Sequence, residues 1–180
     1  MLIPTILVAG LGNIFMGDDG FGSFLAQRYI ASQPASGVRA VDFGIRGMDL
    51  AFELMENYQE VILLDAATRG GNAGDLYQLR VELPRAVSQH SEVNPHSWTA
   101  EQVLSMSRQF GGARESLYLI GCEPATLEPV EEGGMTLSPA IQSAMPAALE
   151  MLERLVSRLV AIDPPAGPRE SLDPIPTRHA

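Results

Sequence analysis

The feature that most constrains this chain is a pair of short, unbroken apolar runs, Ile6-Leu7-Val8-Ala9 and Val61-Ile62-Leu63-Leu64. Each is too short for an ordinary helix, is partly β-branched, and is closed by Gly or Asp. Such runs read as strands buried on both faces. Residues 38–43 and 116–122 are further strand candidates, and 74–81 reads as an edge strand. Between them lie helical stripes. Residues 20–32 place Phe21, Phe24, Leu25, Tyr29 and Ile30 on one broad face. Residues 47–58 do the same with Met48, Leu50, Ala51, Leu54 and Met55 facing inward. A third helix is expected over 99–110, with Thr99 as N-cap. A fourth is expected over 137–162, with Pro139 tolerated near its start and Pro146 inside. Strands alternating with helices imply right-handed crossovers. The expected fold is one α/β domain over residues 1–162, a mainly parallel twisted sheet with helices on both faces. Residues 163–180 are rich in Pro and polar side chains and read as a disordered tail.

Composition narrows the function classes. The 180 residues are 46% hydrophobic and 19% charged, an ordinary globular balance. The formal net charge of −10 repels phosphate backbones, so nucleic acid is not expected as a partner. No run of about 18 apolar residues suggests a membrane span. The N-terminus lacks the basic region and cleavage site of a secretory signal. With Cys122 as the only cysteine, no internal disulfide is available, and a cytoplasmic location is expected.

In sheets of this kind, ligands bind beyond the carboxyl ends of the strands, where strand order switches. The first such loop reads Gly10-Leu11-Gly12-Asn13-Ile14-Phe15-Met16-Gly17-Asp18-Asp19-Gly20. It is not a dinucleotide fingerprint, because Phe15 stands where the third Gly is required. It is not a P-loop either, since Asp18-Asp19 replace the Lys and Ser/Thr. A carboxylate pair suits a cation or a proton, although one Asp is equally explained as a helix N-cap. Asp65 ends the buried run 61–64 at the mouth of the ligand crevice. A lone buried carboxylate needs a partner such as a metal, His or Arg, unless it is only a turn residue before Gly70-Gly71. His96 follows Pro95 and precedes a helix. An imidazole with carboxylate oxygens suits nickel or zinc, whereas a loop His alone is more often a surface residue. His90 keeps that plainer reading, and His179 lies in the tail.

Other chemistry is not suggested. There is no GxSxG elbow and no HExxH helix. Cys122, ending a buried strand, reads as a small core residue. Met48, Met55, Met106, Met145 and Met151 read as core fillers.

Taken together and in order, these motifs resemble the hydrogenase maturation proteases, endopeptidases specific for nickel-iron hydrogenase large subunits. The likeness covers about residues 6–160. It rests on Gly10-Leu11-Gly12-Asn13-Ile14, Gly17-Asp18-Asp19-Gly20-Phe21-Gly22, Val61-Ile62-Leu63-Leu64-Asp65-Ala66 and Asn94-Pro95-His96-Ser97. It continues through Ile120-Gly121-Cys122-Glu123-Pro124, Leu127-Glu128-Pro129 and Gly134-Met135-Thr136-Leu137-Ser138-Pro139. Many members carry Gly-Thr after the second strand, where this chain has Gly44-Ile45-Arg46-Gly47. The resemblance implies that Asp19 (Glu in some members), Asp65 and His96 bind a metal together. It implies one cut that frees a C-terminal peptide from the precursor once nickel is inserted. Nickel is then supplied by the substrate, no nucleotide is needed, and a monomer suffices. On that reading the ion, or a water it polarises, activates attack on the peptide bond, with Asp18 as a free general base. An alternative has the cluster only sense nickel while the carboxylates do aspartic-type work. The rival functions are a non-proteolytic nickel chaperone and a nucleotide-binding α/β domain.

Overall fold

A computed structural model of the chain describes residues 5–82, 98–114, 116–129 and 136–162. Five strands form one sheet in the order β2-β1-β3-β5-β4. They are β1 (Ile6–Leu11), β2 (Val38–Gly44), β3 (Glu60–Ala66), β4 (Leu76–Glu82) and β5 (Ser116–Cys122). The pairs β1–β2, β1–β3 and β3–β5 are parallel. The edge strand β4 runs antiparallel to β5. Among the described residues, four α-helices accompany the sheet: α1 (Phe21–Ala31), α2 (Gly47–Glu53), α3 (Ala100–Gln109) and α4 (Pro139–Ile162).

The alternation of side chains along each strand divides the core in two. Ile6, Val8, Ile62, Leu64 and Ile120 point to one face, where they pack with Phe21 and Leu25 of α1 and Ile141, Met145 and Leu152 of α4. Leu7, Ala9, Val61, Leu63 and Leu117 point to the other, against Leu50 of α2 and Val103 and Leu104 of α3. The chain is therefore the expected single three-layer α/β domain. The apolar runs of β1 and β3 follow from burial on both faces, and every residue of β1 is buried.

Two helices depart from expectation. Residues 17–20 form a 3-10 turn, and α1 begins only at Phe21. The second helix ends at Glu53 rather than near Tyr58, with Leu54 as its C-cap. Met48 and Met55, expected inward, are exposed, as is Ile30. A seven-residue helix buries only a narrow stripe, here Gly47, Leu50 and Ala51. Thr99 does cap α3, in a reciprocal capping box with Gln102. Cys122 is fully buried in the core. The loop 84–95 and the tail 163–180 lie outside the described residues.

Candidate active site

The strand order reverses between β1 and β3: β1 continues to β2 on one side, while β3 leads through β5 to β4 on the other. Beyond this switch point lies a cavity of about 110 Å³, whose lining includes Asn13, Asp19, Asp65 and Trp98.

Asp19 reaches the cavity from the 3-10 turn after β1. Its placement requires glycine at two positions. Gly12 adopts φ +132°, and a Cβ there would stand 1.9 Å from the Asp19 carbonyl oxygen. A Cβ on Gly22 would stand 2.0 Å from the Leu64 carbonyl oxygen and 2.2 Å from that of Leu11. The start of α1 thus sits directly on the carboxyl ends of β1 and β3. The Asp19 carboxylate accepts the Asn13 N–H at 2.7 Å. Burial raises its pKa, and the Asn13 bond opposes the rise. Asp65 arrives at the end of β3. Burial first, and then the Asp19 carboxylate, push its pKa well up, against the pull of the Ala66 N–H. Each carboxylate has its charged form disfavoured, and at Asp65 part of the cause is its neighbour.

The neighbouring aspartate behaves differently. Asp18 is fully buried, and its two oxygens accept three backbone N–H groups: Ala125 at 2.8 Å, Thr126 at 3.2 Å and Ser138 at 2.6 Å. The expectation of a free general base at Asp18 is thereby corrected. Its lone pairs are committed to a loop and to the entry of α4, so it ties the 3-10 turn in place. Nor does either aspartate cap α1, whose N-cap is Gly20 with no side-chain bond.

His96 lies outside the described residues, as does His90. The described chain resumes at Trp98, which lines the cavity. Among the described residues, no group of three or more His, Cys, Asp or Glu forms a metal-holding cluster. The donors brought together there are the carboxylates Asp19 and Asp65. Hard oxygen donors of this kind suit a divalent cation, and at least two more ligands are needed to complete a first-row metal's shell.

Comparison with known proteins decides the family. The model of the hydrogenase maturation protease family matches residues 23–155. The chain belongs to the hydrogenase maturation protease family. It is 34% identical over 152 residues to the hydrogenase 2 maturation protease of Escherichia coli, covering 82% of this chain and 87% of that one. It is 32% identical over 181 residues to the hydrogenase expression/formation protein HoxM of Azotobacter vinelandii, covering 98% and 84%. Among solved structures, the hydrogenase maturating endopeptidase HybD of E. coli superposes with TM-score 0.66 at 26% identity, covering 86% of this chain and 93% of the other. The hydrogenase 2 maturation peptidase of a Thaumarchaeota archaeon gives TM-score 0.63 at 30% identity, covering 84% and 97%.

As a maturation protease the chain is a hydrolase of the endopeptidase class. The non-proteolytic chaperone reading receives no support from these matches. No helix among the described residues is long and apolar enough to cross a membrane. Several residues at or beside the protease's cavity have roles that the sequence does not spell out. Asn13 gives its backbone N–H to Asp19, while its side-chain oxygen accepts the Phe15 N–H at 3.0 Å. Asp42 holds the Gly44 N–H with one oxygen at 3.0 Å and the Gln27 amide with the other at 2.8 Å, fixing the turn after β2. Trp98, the single tryptophan, sits beside the cap Thr99, and that spacing was its one available signal. Arg46 is spent locally, donating to the carbonyls of Phe43 and Asp42. Cys122 is poorly placed to act as a nucleophile: it is fully buried, and burial, then Asp18, Asp75 and Glu123, hold its pKa up at about 12.

Proposed function

We propose that this protease makes a single cut in the precursor of a nickel-iron hydrogenase large subunit, removing a C-terminal peptide after nickel has been inserted. The observation that carries the reading is the meeting of Asp19 and Asp65 in one cavity at the switch point. Two carboxylates whose charge is disfavoured by burial, and at Asp65 also by the other, are relieved by a cation placed between them. A cation that arrives bound to the precursor makes the site complete only when the correct substrate is seated. His96 is the third ligand of this reading.

Hydrolysis requires a water oxygen to attack the scissile carbonyl carbon, the C–N bond to break, and a proton to reach the leaving nitrogen. Nickel on the substrate polarises that water or the carbonyl. With Asp18 occupied, the proton passes through the Asp19–Asp65 pair. A carboxylate oxygen of the pair that does not face the ion takes the proton from water and returns it to the amine. Metal triggering and aspartic-type proton transfer are then two duties of one site. On this reading the enzyme acts as a monomer in the cytoplasm.

Intact-mass analysis of nickel-loaded and nickel-free precursor tests this. The wild-type chain should shorten only the nickel-loaded form. Asp19→Asn, Asp65→Asn and His96→Gln, made singly, should each slow cleavage at least 100-fold. Normal processing by all three variants would end the assignment, and an uncut precursor with the wild type would end the proteolytic reading.

A further inference from the structure

The apolar lining of the cavity continues outward over the surface. Ile45, in the turn after β2, lines the cavity and is 61% exposed. Two residues on, Gly47 opens α2 against the indole of Trp98, where a Cβ would stand 2.0 Å from Cγ. From that point Met48 and, one turn later, Phe52 share the outer face of α2. At the far ends of α2 and α3 the rings of Phe52 and Phe110 stack, with centroids 4.6 Å apart and planes 11° from parallel. Phe52 is 51% exposed and Phe110 40%. Both helices therefore start beside the cavity rim, α2 at Gly47 against Trp98 and α3 just past the lining Thr99, and both end at the stacked pair. Seven residues of helix rise roughly 10 Å, so the strip extends about that far from the rim.

A row of exposed large apolar side chains leading from the cavity on a chain of net charge −10 marks a contact surface. The acidic groups beside it are already neutralised within the chain: Asp49 by Arg46 at 3.5 Å and Glu53 by Arg39 at 2.9 Å. What is left to a partner is apolar contact. A cavity of about 110 Å³ is also small beside the roughly 300–1,000 Å³ of a usual ligand pocket. It holds an ion and a reacting bond but cannot by itself select one protein.

We propose that the strip Ile45–Met48–Phe52–Phe110 is a docking site for an apolar surface on the folded body of the protein substrate, and that it seats the substrate before the cavity acts on it. The occupant follows from continuity: a protein whose bond lies in the cavity necessarily overlies the rim where the strip begins. This inference rests on the proteolytic reading above, and binding measurements separate the two.

The test uses the full chain, the double variant Phe52→Gln/Phe110→Gln, and the same pair of changes in an Asp65→Asn background. For nickel-loaded precursor, the double variant should raise KM at least tenfold while kcat stays within twofold. In the Asp65→Asn background, the Kd for precursor should rise by the same factor. Helical circular dichroism and thermal midpoint should be retained, because both rings are exposed. Should the double variant misfold, Met48→Gln alone should still raise the Kd about threefold. Unchanged KM and Kd would overturn the docking site while leaving the cleavage reading intact. A wild-type dimer that the double variant splits into monomers would also overturn it, since a second copy would then occupy the strip. If the wild type binds precursor through the strip but never shortens it, docking stands and the proteolytic reading falls.

Discussion

Removing the Asp18 carboxylate should cost this fold a large share of its stability, and the sum can be worked bond by bond. Three backbone N–H groups, from Ala125, Thr126 and Ser138, end on its two oxygens at 2.8, 3.2 and 2.6 Å. The residue is wholly buried, so water does not replace it freely. A buried donor left without a partner costs about 1–3 kcal/mol. Asp18→Ala strands all three and should destabilise by about 4–6 kcal/mol, much of the roughly 5–15 kcal/mol available to a domain. Asp18→Asn keeps the shape but only one acceptor oxygen. If that oxygen holds Ala125 and Thr126, the new NH2 group faces the Ser138 N–H, donor against donor. A loss of about 2–3 kcal/mol follows. Urea unfolding followed through the single tryptophan, Trp98, measures both. A loss under about 1 kcal/mol for Asp18→Ala would refute the reasoning. A free general base would give the opposite pattern in Asp18→Asn, with stability kept and cleavage lost.

Three more outcomes follow from the packing and charge. Gly22→Ala would put a Cβ within 2.0 Å of the Leu64 carbonyl oxygen, so α1 must lift off the sheet. It should lower the thermal midpoint by about 5–10 °C, as overpacking of roughly 2–3 kcal/mol does in a domain of this size, and an unchanged midpoint would contradict the contact. Glu123, buried, accepts the Tyr77 hydroxyl at 2.7 Å and the Arg69 and Gly70 N–H groups at 2.8 and 3.2 Å. The Tyr77 bond foremost, aided by those amides, lowers its pKa below the ordinary 4.5. A depressed folded pKa gives stability that is complete above pH 4.5 and fades as pH falls through the lowered value. The gap in urea midpoint between wild type and Glu123→Gln should therefore be widest at neutral pH and narrow in acid; a gap that grows on acidification would contradict the assignment. Cys122, with its pKa near 12 from burial and three nearby carboxylates, should resist iodoacetamide at pH 8 in the native protein and react fully in denaturant. Stoichiometric labelling of the folded chain would place the thiol elsewhere.

The parts of the fold that could be read from the sequence are those whose pattern has one cause. The runs in β1 and β3 are apolar throughout because both sheet faces are covered, and their shortness, β-branching and closing Gly or Asp separate them from a buried helix. The half-buried alternation of β4 marked it as an edge, but alternation is the same in either direction, so its antiparallel pairing with β5 was not legible. The length of α2 was misjudged because Met48 and Met55 look like core residues, whereas the outer face of that helix is itself apolar. The site shows the same division. Asp65 was legible from its place at the end of a buried strand. Asp18 and Asp19 are the same residue type side by side. On a 3-10 turn, successive side chains diverge by about 120°, so one faces the cavity and the other the interior. Which is which depends on Ala125 and Ser138, 107 and 120 residues away, and no local pattern carries that.

The chemistry of the crevice follows from how the glycines are used. In phosphate-binding loops, glycines bare the backbone N–H groups at a helix start, and the positive end of the helix dipole then holds an anion. Here Gly12 and Gly22 both serve close packing instead: Gly12 lies against the Asp19 carbonyl oxygen, and Gly22 lets the start of α1 rest on those of Leu11 and Leu64. The Asn13 N–H is taken by Asp19, a carboxylate belonging to the chain itself. An external phosphate would find that donor occupied and two carboxylates facing it. The same loop position on the same kind of sheet is therefore unsuited to an anion. That is set by the side chains that follow the glycines, and the fold fixes only where their chemistry is expressed.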